Sequence, residues 1–363
     1  MNPLVTVSIV THRSRRFVET CLASVVRQKL QPLEIIIVDN ASTDGTAEWL
    51  EQWANSPAAL GMPVRLIRNT RNVGFAAGQN QAIRGARGEW VLTLNPDVRL
   101  EEAFLLRLLS AARRDPRAGV VCGKLLRATS DFSIAAERRI DTTGIYFTRN
   151  LRHLDRGWDE PDDGRYGEPE YVFGACAAAA LYRRDMIDDI SLAGDFFDPD
   201  FFAYREDADI AWRAQLLGWR CIYTPDAAGW HIRGLKPGDR ANHAPVLRMH
   251  SVKNRILMRI NNMTGGLYRR VWLPATLRDI LVLGGCLLSE PASIPAFWKA
   301  AGCAPRSLAR RRQILARRRV DDATIAEWFS DTPVSRPLER GAGPDERRLS
   351  LAISDLSPAA PWH

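Results

Sequence analysis

The chain lacks paired cysteines, glycine-rich nucleotide motifs and long hydrophobic runs. Its six cysteines stand singly with no CxxC pair, which excludes a zinc ribbon or a dithiol redox motif and is typical of a reducing compartment. Neither GxxxxGKS, GxxxxGKT nor GxGxxG occurs, so a P-loop and a Rossmann-type dinucleotide site are disfavoured. Met1-Asn2-Pro3 leads directly into a β-like stretch, and we therefore expect no signal peptide.

The composition is that of an ordinary soluble globular protein. Of 363 residues, 46% are hydrophobic, 8% aromatic and 25% charged, which excludes a wholly disordered chain, a collagen-like chain and a disulfide-stapled miniprotein. This length is enough to bury a large core in one large domain or in two smaller ones.

The formal net charge of +8 is concentrated in one late segment. Residues 1–247 hold 31 Lys and Arg against 32 Asp and Glu, whereas residues 248–320 hold 15 against 2, and residues 321–363 hold 4 against 8. Because no nucleic-acid module accompanies the charge, binding to nucleic acid is disfavoured. We expect the basic segment to be attracted to an anionic membrane surface at the cytoplasmic face.

Strand-like and helix-like segments alternate through the first half of the chain. The clearest strand is Leu33–Val38, a nearly continuous apolar run typical of a strand buried on both faces of a parallel sheet. This alternation predicts an α/β fold with a doubly wound, mostly parallel sheet. Residues 127–170 are polar and predict an irregular excursion or a hairpin. The other strand predictions are Leu4–Val10, Val64–Asn69, Trp90–Leu94, Val120–Leu126 and Arg220–Thr224.

The pattern of apolar and charged residues changes near the C-terminus. The longest uncharged run within Val271–Trp298 is Ile280–Ser289, preceded by Arg278 and Asp279, and it is shorter than the roughly 20 apolar residues that cross a bilayer. Two interpretations stay open: a helix lying on a membrane surface, or a buried helix beside a solvated Arg-rich neighbour. Residues 334–363 are rich in Pro, Gly and acidic residues and predict a loosely ordered tail.

Carboxylates stand at three places where open α/β sheets bind ligands. Asp39 ends one apolar strand, Asp97 follows another by a few residues, and Glu206-Asp207 opens a helix. A single carboxylate after a strand is more often a helix cap, but three at one sheet edge suit a cation-bound pyrophosphate and one free base.

Six motifs of the sequence together resemble those of a known family. The sequence is similar to inverting family 2 glycosyltransferases with the GT-A nucleotide-sugar fold, most of all to the branch that contains rhamnosyltransferases. The resemblance covers residues 4–235. The matching motifs, in the order of the family, are Val7–Thr11, Val38–Thr46, Arg71–Asn80, Leu94–Asp97, Phe197–Ile210 and Gly218–Trp219.

The resemblance implies a pocket for the nucleoside. Asp39 would accept a hydrogen bond from a pyrimidine base, with Thr11 in the same pocket, and the alternative for Asp39 is a helix-capping role. Gly74 would let the backbone approach the nucleoside closely, and Asn80 would be a polar contact. A plain turn before a helix would also explain this segment.

The resemblance also implies a metal site and a catalytic base. Asn95 and Asp97 occupy the place of the family's DxD motif, so Asp97 would ligate Mg²⁺ or Mn²⁺ while Asn95 would bind ribose or phosphate. His231 would lie near the metal or the diphosphate, although a lone histidine is often structural. Asp207 would take the proton of the acceptor hydroxyl, with helix capping as the alternative. Arg213 is expected to pair with a nearby acid.

These expectations define one leading hypothesis. It is transfer of rhamnose from dTDP-rhamnose to a lipid-linked or saccharide acceptor in cell-surface polysaccharide assembly. The alternatives are a family 2 enzyme with another donor, such as a UDP-hexose, and a non-catalytic protein that keeps the fold. We expect a catalytic domain over residues 1–247 and a basic helical extension over 248–333, with the protein peripheral to the inner face of the cell membrane.

Overall fold

The structure is a computed structural model that describes residues 3–56, 59, 61–133, 137–233 and 244–338. The strands are β1 (Val5–Thr11), β2 (Leu33–Asn40), β3 (Val64–Asn69), β4 (Trp90–Leu94), β5 (Val98–Leu100), β6 (Ala118–Arg127), β7 (Ile140–Thr142), β8 (Ile145–Phe147), β9 (His153–Asp155), β10 (Glu170–Val172), β11 (Ala179–Arg183), β12 (Arg220–His231) and β13 (Arg336–Pro337). The helices are α1 (Arg15–Val26), α2 (Thr46–Ala54), α3 (Phe75–Gly85), α4 (Phe104–Ala112), α5 (Arg184–Ile190), α6 (Glu206–Leu216), α7 (Pro245–Asn262), α8 (Gly265–Leu288), α9 (Pro295–Ala316) and α10 (Asp322–Ala326).

One mixed sheet organises the fold. Within the described residues it has eleven strands, and its main path runs β13-β10-β12-β6-β11-β4-β1-β2-β3. Strands β4, β1, β2 and β3 are mutually parallel, as are β6 and β12, whereas β11 is antiparallel to both of its neighbours. The prediction of a doubly wound, mostly parallel sheet is therefore confirmed.

The apolar strands are continuous because both faces of the sheet are covered. Along β2, Ile35 and Ile37 pack on the side of α1 and α4, whereas Ile36 and Val38 pack on the opposite side with Ala82 of α3. All four strand side chains are buried. Such a strand shows no polar alternation, which is why the sequence run reads as uniformly hydrophobic.

Strand register brings the polar residues to one edge. Thr11 is the parallel partner of Asp39 at the ends of β1 and β2. Short strand β5 turns back after β4 and pairs with β12, so that Val98 lies opposite His231. The residue before Val98 is Asp97, and this pairing places it beside His231. The last predicted strand, Arg220–Thr224, in fact continues to His231 across a register shift.

The excursion after β6 contains a hairpin, one of the two forms that the sequence predicted, and the C-terminal tail contains a short strand. Residues 127–170 contain β7, which extends the sheet, and the β8–β9 hairpin. In the tail, Arg336–Pro337 pairs with β10, and the expectation of a loosely ordered tail over 334–363 stays a prediction. Residues 339–363 lie outside the described part of the chain.

Helix α8 corrects the sequence interpretation of the C-terminal region. It runs unbroken through Arg278 and Asp279 for 24 residues. Among the described residues it is the one helix long and apolar enough, by length and composition, to cross a membrane, and only 17% of its apolar window is buried. The uncharged run alone therefore underestimated its length, and the buried-helix alternative is wrong. We call residues 3–233 the body and residues 244–338 the extension.

Arginines of the extension bind carboxylates of the body. Arg306 and Arg310 of α9 pair with Asp200 at 2.8 and 2.7 Å. Arg317 and Arg319 pair with Asp189 at 3.2 and 2.9 Å. Part of the basic charge that the sequence assigned to a membrane surface is thus used inside the molecule.

Candidate active site at the sheet edge

Two carboxylates flank the ring of His231. Its Nδ1 lies 2.8 Å from Asp141 Oδ2, and its Nε2 lies 3.4 Å from Asp97 Oδ1. Burial alone would lower the pKa of His231, but Asp141 and Asp97 outweigh it and raise the pKa to about 10. The imidazole therefore carries a proton on each nitrogen when only these carboxylates surround it.

Asp97 and His231 form an incomplete set of metal ligands. Among the described residues no group of three or more His, Cys, Asp or Glu side chains is placed to hold a metal ion. Asp97 is 26% exposed, and divalent cations in such sites use one or two carboxylates together with substrate phosphates and water. Asp141 holds the other ring nitrogen, as outer carboxylates do for metal-ligating histidines. The donors thus fit a cation shared with a diphosphate. Asn95 lies half-buried at the end of β4, next to this pair.

Asp207 lies in the first turn of α6. Its Oδ1 accepts a hydrogen bond from the Ala208 N–H at 2.7 Å, and the side chain is only partly buried. Burial and the negative charge of Asp155 raise the pKa of Asp207 to about 6. Burial and Asp207 raise the pKa of the adjacent Glu206 to about 8, and Glu206 Oε2 has no hydrogen-bond partner. A carboxylate with a raised pKa at a partly open position suits general-base chemistry.

The backbone just before Asp207 is strained. Phe202, Tyr204 and Arg205 adopt φ angles of 65°, 70° and 72°, a region that side-chain-bearing residues rarely occupy and that is enriched at functional sites. Asn254 of α7 holds this turn, because its Nδ2 lies within 2.8 Å of the carbonyl oxygens of Phe201, Ala203 and Tyr204. The extension therefore positions the start of α6.

Arg233 links the His231 pair to the surroundings of Asp207. Its Nε lies 3.0 Å from Asp141 Oδ1, and its Nη1 lies 2.7 Å from Asp155 Oδ2. Sequence reasoning missed Asp141, Asp155 and Arg233. The two aspartates lie in the polar excursion, where their residue types follow no pattern, so the sequence carried no signal for them.

Both carboxylate oxygens of Asp39 accept hydrogen bonds from nearby residues. Thr11 Oγ1 donates to Asp39 Oδ1 at 2.9 Å, and the Ser42 N–H donates to Oδ2 at 3.0 Å. The capping alternative therefore accounts for the contact of Oδ2 but not for that of Oδ1. The side chain is 1% exposed, but each carboxylate oxygen retains a further lone pair for another donor.

Two expected nucleoside contacts have other partners in the structure. A Cβ at Gly74 would lie 2.6 Å from Phe202 Cδ2 and from Phe202 O, so the close approach that glycine permits here is to Phe202. Asn80 Nδ2 donates to Phe197 O at 2.7 Å, and its Oδ1 accepts from the Phe197 N–H at 2.9 Å. Both ends of the Asn80 amide are thereby used to anchor the chain before α6. These contacts do not test ligand binding, so nucleoside contacts from Gly74 and Asn80 stay predictions.

Arg213 pairs with an acid, as predicted. Its Nη2 lies 2.9 Å from Asp209 Oδ2, and both side chains are buried. Asp209 also accepts a hydrogen bond from Asn262 of α7 at 2.6 Å. This buried network fixes α6 against the extension.

The sequence of this chain matches a family model and several known proteins. The family model described as Glycosyl transferase family 2 matches residues 6–191. The N-acetylglucosaminyl-diphospho-decaprenol L-rhamnosyltransferase of Mycobacterium tuberculosis is 28% identical over 267 residues, which are 67% of this chain and 81% of that protein. The uncharacterized glycosyltransferase EpsJ of Bacillus subtilis is 30% identical over 212 residues, which are 57% of this chain and 55% of that protein.

Solved structures share the fold at low sequence identity. GalNAc-T7, crystallised with UDP, GalNAc and Mn²⁺, superposes with a TM-score of 0.55 at 14% identity, over 74% of this chain and 50% of that one. S. aureus TarS 1–349, in complex with UDP-GlcNAc, gives a TM-score of 0.52 at 17% identity, over 89% and 90%. The expected GT-A fold is therefore confirmed.

Proposed function

Because this chain belongs to glycosyl transferase family 2, we propose that it transfers rhamnose from dTDP-rhamnose to a lipid-linked sugar, with inversion at the anomeric carbon. The relative from Mycobacterium tuberculosis bears the name of a rhamnosyltransferase for a diphospho-decaprenol-linked acceptor, which supports both donor and acceptor class. The observation that carries the proposal is the partly buried Asp207, whose pKa is raised to about 6 and which lies beside the strained turn.

In this mechanism Asp207 is the general base. Its carboxylate takes the proton of the acceptor hydroxyl as that oxygen forms a bond to the anomeric carbon, and the bond from that carbon to the nucleoside diphosphate breaks. Attack from the face opposite the leaving group inverts the anomeric centre. Asp207 suits this role because it is ionised near neutral pH yet basic enough to accept a proton.

Asp97 and His231 would hold a divalent cation, Mg²⁺ or Mn²⁺, against the donor diphosphate. Such a cation neutralises charge on a departing diphosphate. His231 keeps its ring orientation through Asp141, and Asn95 is available to ribose or phosphate. EDTA should suppress turnover and either cation should restore it, whereas full activity in EDTA would remove Asp97 from this role.

For the nucleoside, we propose that Thr11 and Asp39 form the wall of the base pocket. A carboxylate in this position accepts from the N–H of uracil or thymine. The donor itself is identified by measuring hydrolysis and transfer across dTDP-rhamnose, UDP-glucose, UDP-galactose and UDP-N-acetylglucosamine. Turnover with a UDP-hexose and none with dTDP-rhamnose would replace the donor but leave the family assignment intact.

The base is tested by Asp207→Asn with Asp188→Asn as the matched control, since Asp188 is exposed on α5. Asp207→Asn should lower transfer by about 10²–10⁴-fold, because an amide cannot accept the proton, while dTDP binding measured by calorimetry stays unchanged. Asp188→Asn should behave as the parent protein. Retained turnover in Asp207→Asn would show that another group is the base.

A further inference from the structure

A cavity lies next to the candidate active site. Its volume is about 350 Å³, and it lies between the β8–β9 hairpin, the end of the strained turn, α7 and α8. The arginines that line it are Arg152, Arg205, Arg255 and Arg278. His153 lines it as well, but burial and the neighbouring arginines hold the pKa of this imidazole well below its usual range. None of the roles proposed above uses this cavity.

Positive charge dominates the walls of the cavity. The acidic side chain in its lining is Glu290, and Asp279 binds Arg255 at 2.8 Å from behind. Burial and, despite Asp279, the neighbouring Arg259, Arg278 and Arg152 lower the pKa of Arg255 to about 10. Arginines gathered in a concave, partly buried site are the usual means of binding phosphate oxygens.

The cavity is close to Asp207 along two separate paths. Arg205, which lines the cavity, precedes Asp207 by two residues and is fixed by a 2.9 Å hydrogen bond to Ser251 O. His153, at the start of β9, lines the cavity. Asp155, at the end of β9, is the residue whose negative charge raises the pKa of Asp207. Two residues along a strand span about 7 Å, which is comparable to the length of one hexose unit.

The opposite wall of the cavity is apolar and continues outside it. Leu281, Val282 and Gly285 of α8 line the cavity, and Leu281 is also 66% exposed. From there the exposed apolar surface of α8 extends over Leu277, Ile280 and Leu288. A basic cavity that opens onto an apolar helix face matches a ligand with an anionic head and a hydrocarbon chain.

We propose that this cavity holds the diphosphate of an isoprenoid-diphosphate-linked acceptor, with the isoprenoid chain along α8 and the attached sugar reaching Asp207. This inference rests on the proposed function, because it names the part of the chain that would bind the acceptor. The two diphosphates then bind at different places. The diphosphate of the donor binds the cation held by Asp97 and His231, and the diphosphate of the acceptor binds in the arginine cavity.

The test measures binding of farnesyl diphosphate to the full-length chain by calorimetry. Arg152→Gln alone, and Arg152→Gln with Arg278→Gln, remove charge from the cavity. The control is Arg113→Gln with Arg312→Gln, since both are exposed arginines outside the cavity. We expect the single change to raise Kd by about tenfold and the pair by more, because each change removes a charge-assisted hydrogen bond to a phosphate oxygen. The control should bind as the parent does.

Three outcomes would overturn the inference. Equal affinity of the cavity and control variants would show that the arginines do not hold the diphosphate. Inorganic pyrophosphate binding as tightly as farnesyl diphosphate would show that α8 holds no chain. Phosphatidylcholine vesicles with phosphatidylglycerol that displace farnesyl diphosphate in the parent but not in the cavity variant would assign the cavity to phospholipid headgroups.

Failure of this inference can be told from failure of the proposed function. Hydrolysis of dTDP-rhamnose by water needs no lipid acceptor, so it should be equal in the parent and in the cavity variants. Normal hydrolysis with no farnesyl diphosphate binding refutes the acceptor cavity alone. Farnesyl diphosphate binding that depends on Arg152, with no turnover of any nucleotide sugar, refutes the proposed function instead.

Discussion

The body and the extension differ in how their apolar surface is covered and in their balance of charge. In the body the apolar strands are covered on both faces, and acidic and basic residues are nearly balanced, at 31 basic to 32 acidic over residues 1–247. In the extension, α8 leaves most of its apolar surface uncovered, and residues 248–320 hold 15 basic residues against 2 acidic ones. The body thus holds the candidate active site, whereas the extension carries the exposed apolar surface and the excess of basic charge.

The comparison also shows where the two regions depend on each other. Asp189 and Asp200 of the body bind four arginines of the extension. Asn254 of the extension holds the turn before Asp207. The charge difference is therefore partly an internal complementarity, and the variants below test how far each region keeps its own properties.

Among the variants that test this comparison, the largest effect is expected from Asp141→Asn, which acts inside the body. The change removes the carboxylate that orients His231, and loss of such an outer partner costs about 10–100-fold in metal affinity or activity. Steady-state transfer kinetics with a titration of Mn²⁺ measure it, with the exposed Asp131→Asn of the same excursion as control. Association with vesicles should not change, and a parallel loss of both properties would contradict the separation of the two regions.

Asp200→Asn tests the contact between the regions. Burial alone would raise the pKa of Asp200, but Arg306 and Arg310 lower it to about 2. We expect a loss of about 1–2 kcal/mol in the free energy of unfolding, discounted because Arg306 is mostly exposed. Urea denaturation measures it, with the exposed Asp226→Asn as control.

The pH dependence of this contribution has a definite sign. The pKa of Asp200 is lower in the folded protein than the value of about 3.9 expected for an unfolded chain. Its stabilisation is therefore present above about pH 4 and is lost as the pH falls from there to about 2. A difference between parent and Asp200→Asn that grew as the pH fell would contradict the ion pairs with α9.

The exposed face of α8 is tested by Leu277→Glu with Leu288→Glu. Both residues are exposed on α8, and burying one leucine in lipid contributes about 1.5–3 kcal/mol. Co-sedimentation with vesicles containing phosphatidylglycerol should therefore fall by about tenfold or more, while hydrolysis of the donor stays unchanged. Leu308→Glu on α9 is the control, and equal pelleting of all three proteins would show that α8 does not face a membrane.

The smallest effect is expected from Asp155→Asn. Asp207 must be ionised to act as a base, and its pKa is raised to about 6 by burial and by Asp155. Turnover should therefore fall below about pH 6 in the parent, and removal of the Asp155 charge should move this acid limb to lower pH by less than about one unit. A pH profile of kcat measures the shift, and a move to higher pH would show that Asp207 is not the titrating base.

The sequence predicted those features that depend on neighbours along the chain. Leu33–Val38 read as a buried parallel strand because its hydrophobicity is local information, and Asp97 and Asp207 stood out because each belongs to a contiguous motif. The contacts of Gly74 with Phe202 and of Asn80 with Phe197 were not predicted, because these partners are more than a hundred residues away. No local pattern reports such a contact.

The length of α8 was misjudged for a related reason. Arg278 and Asp279 look like interruptions of an apolar run, but Asp279 is paired with Arg255 and Arg259 of α7 at 2.8 and 2.6 Å. With its charge compensated by the neighbouring helix, Asp279 does not stop α8. The arginine cavity could not be predicted from the sequence, because the hairpin, α7 and α8 meet only in the folded chain.

The hydrogen bonds from Asn254 to the turn before Asp207 have a consequence for how this chain can be cut or recombined. We propose that the expected boundary at 247/248 separates two surfaces but not two independent modules, since one side chain beyond it holds three carbonyl oxygens before it. A chimera that joined this body to the C-terminal segment of a relative would have to keep α7 of this chain together with the body. An enzyme engineer should therefore place the junction after Asn262, where α7 ends.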